Sequence, residues 1–386
     1  ATNSSQRPLG IQLRFLLNAF TGKYFQQHVP IREQFAPVGH AVRFAYLETA
    51  LAMLVRERGD RTLLPALEKA WQHMVNRRMY VTGGIGSLPA IEGFGRDYEL
   101  HPEYAYAETC AALGCMFWNW EMTLLTRQAK YADLFEWQLY NAASVGMGLA
   151  GDSYLYNNPL ACRGGVTRRA WYQVPCCPSN LSRTWAALGK YLYSVEPGGL
   201  WVHQYIGSAT TACLDTPIQI EVESDLPWEG RVRIALSPAS PAEFNFYLRI
   251  PSWAPEYSLR VNGQTIDPVP RPQTSGQAEQ PASGYAPQQA YYMPISRTWS
   301  PGEVVEIEFA MPIVVRRAHP KVKGGRGRIA LTRGPLVYCL ESVDNPGLDL
   351  FEAEIELASL TASSSPDLLG GIWTLSGETV QGETFT

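Results

Sequence analysis

The sequence predicts an α+β multidomain protein in which a layer of paired helices precedes antiparallel β-sandwich domains. Apolar residues recur at helical spacing in the first part of the chain, and after Pro197-Gly198-Gly199 they alternate in short segments instead. At 386 residues the chain has room for two or three domains of about 100–200 residues each. Hydrophobic residues form 46% and charged residues 18%, which supports a sizeable core and excludes global disorder. The net charge of −4 leaves no electrostatic footprint for nucleic acid or an anionic membrane, so small or neutral partners are favoured.

The first clear helix is predicted over 38–58, where Val42, Ala45, Tyr46, Ala50, Met53 and Leu54 mark an apolar stripe and Gly59-Asp60 closes it. Further helical runs follow at 62–78, 109–125, 131–146 and 178–194, separated by Gly-rich or Pro-rich connectors. The earlier apolar run at 11–20 is interrupted by Gln12, Arg14 and Asn18 and falls short of a membrane span. Strands are predicted at 200–206, 218–222, 232–236, 244–250, 257–261, 291–295, 304–309, 313–316 and 328–331, with antiparallel spacing that suits one or two sandwiches. The stretch 267–289, rich in Pro, Gln, Ser and Gly, reads as a long exposed loop. The expected division is a helical domain at 1–195, a β-sandwich at 196–318 and a second β region at 319–386.

Seven cysteines, an odd number, are scattered along the chain and do not form a disulfide framework. Reduced or metal-bound thiols and no visible secretory signal predict a cytoplasmic location, while the initial Ala predicts that a segment precedes this one in the natural protein. The adjacent pair Cys176-Cys177 stands before Pro178 and a helical run, which puts both thiols near a helix N-terminus where partial positive charge favours thiolates. Glu108 and Cys110 also precede a helical run, with Thr109 as the candidate N-cap. On a regular helix Glu108 and Cys110 would diverge by about 200°, so their convergence needs a non-helical entry at Glu108. Three thiolates and a carboxylate suit a tetrahedral zinc site; the alternative is buried apolar cysteines beside an ordinary carboxylate. Glu92 lies in a Gly-rich stretch, either as a solvated loop residue or as a carboxylate presented to a ligand. The nearby Gly84-Ile85-Gly86 lacks the Lys-Ser/Thr of a phosphate loop.

Taken together, YVTGGIGS at 80–87, Glu92, AETC at 107–110, DLFEWQLYNA at 133–142, YNNPL at 156–160 and CCPSN at 176–180 resemble the zinc-dependent β-L-arabinofuranosidases of glycoside hydrolase family 127. The resemblance continues through GLWVHQYIGS at 199–208, LRIPSWA at 248–254 and GRIALTRGPLVYCLE at 327–341. It implies an (α/α)6 barrel followed by β-sandwich domains, and retaining hydrolysis of terminal β-L-arabinofuranosides. By motif, Cys176 corresponds to the nucleophile, Glu92 to the acid/base, and Glu108, Cys110, Cys176 and Cys177 to the zinc ligands. His40, Glu136 and Tyr156 correspond to sugar-contacting positions; on its own, His40 reads as a satisfied histidine on a helix face.

A full barrel needs twelve helices, and only about six are predicted before Pro197, so roughly its first half is expected to lie outside this chain. The face left uncovered is then open to association, including with a second copy. Two other readings stay open: a non-catalytic unit with a structural zinc cluster, and a related glycosidase of different sugar preference.

Overall fold

The computed structural model describes residues 16–271 and 279–386; the start of the apolar run at 11–20 and the middle of the 267–289 loop lie outside them. Helix α1 (Ala41–Arg58) begins at His40, whose ring accepts from the Arg43 N–H at 3.4 Å, and ends at Gly59 in the left-handed region. His40 therefore caps the helix and does not lie on its face. The second predicted helix is α2 (Leu64–His73), flanked by a 3-10 turn at Arg61–Leu63 and a π turn at Met74–Arg78. Helix α3 (Thr109–Thr126) matches its prediction, whereas α4 (Ala129–Gln138) passes into a π turn at Leu139–Ala143. Helix α5 (Cys176–Ala186) is followed by a 3-10 turn at Leu188–Tyr191, and the predicted last turn is already strand.

The β part contains a four-stranded sheet of β1 (Tyr193–Glu196), β2 (Gly199–Val202), β6 (Ala242–Ile250) and β9 (Tyr291–Trp299). Against it lies a six-stranded sheet of β3 (Ser208–Cys213), β4 (Pro217–Ser224), β5 (Arg231–Pro238), β10 (Glu303–Phe309), β7 (Tyr257–Val261) and β8 (Gln264–Thr265). Alternating burial along β4 and β5 leaves one face solvated and turns Ile218, Ile220, Val222, Val232, Ile234 and Leu236 inward. There they share a core with Phe246, Leu248, Ile250 and Trp299 of the other sheet, the arrangement of a sandwich.

Two expectations need correction. Strands β2 and β6 pair in parallel, because the crossover between them passes through the opposite sheet. The position 195 lies in β1, and 318 lies between the first two strands of a three-stranded sheet of β11 (Ile313–Arg316), β12 (Ala330–Arg333) and β13 (Leu336–Tyr338). The loop at 267–289 is not uniformly exposed: Ala282 and Tyr285 are buried, and Tyr285 stacks on Trp137 with ring centroids 3.9 Å apart.

The DLFEWQLYNA segment joins all these parts. Asp133 and Glu136 face the sandwich, where Arg249 of β6 reaches Asp133 at 3.0 Å and Glu136 at 2.5 Å, with all three side chains buried. Trp137 and Gln138 donate to the carbonyls of Val81 and Gly83 at 2.6 and 2.9 Å, which fixes the YVTGGIGS turn. Gly83 has φ +83° and no room for a Cβ against Gln138. Asn141 exchanges two hydrogen bonds with the β12–β13 hairpin, at Pro335 and Val337.

Glu48, buried on α1, has its carboxyl pushed up to about 8 by burial alone. Its folded-state value lies above the unfolded one, so the native protein holds this proton more tightly. The resulting stability is present below about pH 4.5 and is lost as pH rises towards 8, at no more than about 1.4 kcal/mol per pH unit. Glu48→Gln is expected to flatten that slope in denaturant titrations between pH 5 and 8; an unchanged slope would show that the carboxyl finds a partner or water when ionised.

Candidate active site

Five chain segments converge to build the site. Residues 39–41 run beside 92–94: Ala41 N–H donates to Glu92 at 3.0 Å and Phe94 N–H to Gly39 at 2.9 Å. A Cβ on Gly93 would fall 1.9 Å from the Gly39 carbonyl oxygen, so this approach requires glycine. Glu92 itself has φ 48° and ψ 41°, a left-handed conformation that costs a non-glycine residue on the order of 1 kcal/mol and is held by these backbone pairs. Its carboxylate lies 3.2 Å from His40 Nε2 and remains 41% exposed, open to a ligand.

The second junction pairs 106–109 with 156–158. Thr109 N–H donates to the Tyr156 carbonyl at 2.9 Å, and the Asn158 amide donates to the Ala107 carbonyl at 2.9 Å. Glu108 is extended, with φ −62° and ψ 135°, and is the N-cap residue of α3; Thr109 is the first helical residue. This extended entry turns Glu108 towards Cys110 despite their i, i+2 spacing. Tyr106, two residues before Glu108 across the left-handed Ala107 (φ 39°), places its hydroxyl beside Glu92. Neither composition nor periodicity gave a reason to choose Tyr106, since the left-handed turn at Ala107 breaks any alternation with Glu108.

Helix α5 brings the cysteine pair. It begins at Cys176 itself, so Pro178 occupies the third helical position and not the first. Cys176 Sγ lies 3.8 Å from Glu108 Oε1 and 3.9 Å from Cys177 Sγ, while Cys177 Sγ lies 3.6 Å from the same oxygen. The ligand atoms of Glu108, Cys110, Cys176 and Cys177 all fall within 4.8 Å of one another. The second carboxylate oxygen of Glu108 is buried without a hydrogen-bond partner, a costly state that a bound cation would relieve. Together these residues could hold a metal ion. Glu108 also lies within 4.8 Å of the donor atoms of His40 and Glu92, and so links the thiols to the exposed carboxylate.

The electrostatics distinguish the thiols. Cys176 is lowered far below an ordinary thiol, chiefly by hydrogen bonds from Cys110 and Cys177, with Tyr156 OH adding another at 3.2 Å. Cys110 and Cys177 are raised in compensation, since they lend protons to the shared charge. Burial first, then the charges of Cys176 and Glu92, push Glu108 up to about 8. Glu92 is held below the usual carboxylate range, first by its bond from His40 and then by Tyr106, with burial opposing.

His40, Glu92, Glu108, Cys110, Tyr156, Cys176 and Cys177 thus meet at one place. Glu136 does not join them. Its oxygens accept from Arg249 at 2.5 Å and Trp253 at 2.7 Å, and the side chain is buried at the junction with the sandwich, in place of the sugar contact its motif implied.

Models of the catalytic, middle and C-terminal domains of the family 127 β-L-arabinofuranosidases match residues 6–190, 199–311 and 313–374. The chain belongs to glycoside hydrolase family 127. It is 35% identical over 382 residues to a non-reducing end β-L-arabinofuranosidase of Bifidobacterium longum subsp. longum, an alignment covering 93% of this chain and 55% of that protein. Among solved structures, a family 127 β-L-arabinofuranosidase from Geobacillus stearothermophilus superposes with a TM-score of 0.84 at 38% identity, covering 92% of this chain and 55% of that one. Another family 127 β-arabinofuranosidase gives 0.79 at 30% identity, covering 100% and 66%. The chain therefore spans about half the length of the curated relative it matches.

Proposed function

We propose that this family 127 chain acts as a retaining glycoside hydrolase on terminal β-L-arabinofuranosides, with Cys176 as nucleophile and Glu92 as acid/base. The observation that carries this reading is the junction at Glu108, which sets the favoured thiolate and an exposed carboxylate around one point. Glu108, Cys110, Cys176 and Cys177 would hold zinc. Tetrahedral coordination with ordinary zinc–sulfur and zinc–oxygen bonds requires S···S edges of about 3.8 Å and S···O edges of about 3.5 Å. The 3.9, 3.8 and 3.6 Å edges among Glu108, Cys176 and Cys177 fit those values, and Cys110 lies within 4.8 Å of all three. When bound, zinc keeps coordinated thiols deprotonated at neutral pH.

In the first half-reaction Cys176 Sγ forms a bond to the anomeric carbon as the glycosidic C–O bond breaks, and Glu92, which must first take up a proton from solvent because His40 and Tyr106 favour its ionised form, gives that proton to the departing oxygen. In the second, Glu92 takes a proton from water, the water oxygen attacks the same carbon, and the C–S bond breaks to return the Cys176 thiolate. Two inversions give net retention. His40 orients the Glu92 carboxylate, and the Tyr156 hydroxyl donates to the sulfur in its anionic form. The two polar groups lie against the Glu92 carboxylate and the Cys176 sulfur respectively.

The expected result is hydrolysis of an aryl β-L-arabinofuranoside by the zinc-loaded chain, with β-L-arabinofuranose as the first-formed anomer in NMR spectra. Hydrolysis of a different aryl furanoside or pyranoside alone would assign another sugar preference, and a folded, metal-loaded chain inert towards all of them would favour a structural role for the cluster.

A further inference from the structure

Asn180 follows Cys176 by four residues on α5, so the two side chains share one face of the helix a turn apart. Its Nδ2 donates to the Cys110 sulfur at 3.0 Å. Two donors meet on the other end of the amide: Arg183 Nε at 2.7 Å and the Tyr46 hydroxyl at 3.1 Å both reach Asn180 Oδ1. The Tyr46 hydroxyl in turn accepts from Arg183 Nη2 at 2.7 Å. A guanidinium can only donate, so Oδ1 must face Arg183 and the N–H must face the sulfur. The Arg183 guanidinium is itself seated 5.0 Å from the centre of the Phe117 ring on α3. The ring of contacts therefore ties α1, α3 and α5 together around one thiol.

Cys176 is held differently. Its sulfur meets the Tyr156 hydroxyl, from the loop before α5, at 3.2 Å, and no side-chain amide is bonded to it among the described residues. Beyond the hydrogen bond between them, the reacting thiol and the Cys110 thiol thus meet different outer partners, Tyr156 and Asn180.

We propose that Asn180 is a positioning residue for the metal-ligating set: its amide N–H fixes the Cys110 thiolate, and Arg183 with Tyr46 fixes the amide. Cys110 then stays in place as a ligand while Cys176 acts on the sugar. The inference rests on the metal reading of the cluster. Outer partners of this kind set ligand orientation, and their removal typically costs about 10–100-fold in metal affinity.

The test compares the full chain with Asn180→Ala, Asn180→Asp and Arg183→Met proteins, each checked for folding by circular dichroism. Each protein is stripped of metal and titrated with Zn2+ against a chromophoric chelator, then with Co2+ to read the thiolate-to-metal charge-transfer band. Asn180→Ala and Arg183→Met are expected to lose about 10–100-fold in Zn2+ affinity and to shift the Co2+ band. Asn180→Asp keeps the shape but turns an acceptor towards the sulfur, and should lose at least as much as Ala. A purely structural role predicts instead that Asp restores parental affinity, since it fills the same space. That outcome, or parental affinity and spectrum in all three proteins, overturns the inference and leaves the metal reading standing. A folded parent that gives no thiolate-to-cobalt band overturns both.

Discussion

Cys176→Ser is expected to reduce turnover of an aryl β-L-arabinofuranoside by at least about 10³-fold in a protein that remains folded. The hydroxyl that replaces the thiol is a poor nucleophile at neutral pH, and it forfeits the donors that Cys110, Cys177 and Tyr156 direct at an anionic sulfur. Glu92→Gln should cost about 10²–10⁴-fold with a poor leaving group, because the lost proton is needed most there. With a good aryl leaving group the first step no longer needs the acid, so the loss should shift to the second step. Azide needs no general base, and it should restore release of the sugar from the Glu92→Gln protein but not from Cys176→Ser. Equal loss and no rescue in both proteins would mean that Glu92 does not transfer protons.

Arg249→Met is expected to destabilise the fold by about 3–5 kcal/mol in denaturant unfolding. Arg249, Asp133 and Glu136 are all buried, and the guanidinium is the cation bonded to both carboxylates. Ser252 and Trp253 satisfy the remaining oxygens but add no charge. Burial already pushes the Glu136 carboxyl up against the pull of Arg249, so loss of the guanidinium leaves two anions in the junction between helices and sandwich. Combining Arg249→Met with Asp133→Asn and Glu136→Gln should recover most of the loss, since it removes the charge together with its partner. Parental stability in the single variant would show that water reaches this junction.

The same residues show how far the sequence alone could be read. Helix positions followed from apolar spacing, but helix ends did not. The π turns after α2 and α4 bury consecutive residues, Met74 to Asn76 and Asn141 to Ala143, so no periodic stripe reports the change of geometry. The convergence of Glu108, Cys110, Cys176 and Cys177 was legible because these residues stand at two helix starts, where the extended backbone at Glu108 allows i, i+2 residues to converge. Glu136 was misplaced because its partner Arg249 is 113 residues away on a strand, and no local pattern pairs them. Tyr285 was lost in a polar, Pro-rich stretch for the same reason: its burial comes from stacking on Trp137. Tyr106 and Asn180 went unnoticed because each acts through another side chain, Glu92 in one case and Cys110 in the other. The parallel pairing of β2 and β6 was equally hidden, since alternation reports which face is buried and not the direction of the neighbouring strand.

The central claim is that Cys176 carries the sugar between the two half-reactions. The most direct measurement mixes the Glu92→Gln protein with an aryl β-L-arabinofuranoside bearing a good leaving group, quenches the mixture in acid, and maps the product by peptide mass spectrometry. The account predicts a burst of released phenol and a single pentosyl group attached to the peptide that contains Cys176. A burst with the pentosyl group on another residue, or turnover with no covalent adduct at any time, would contradict it.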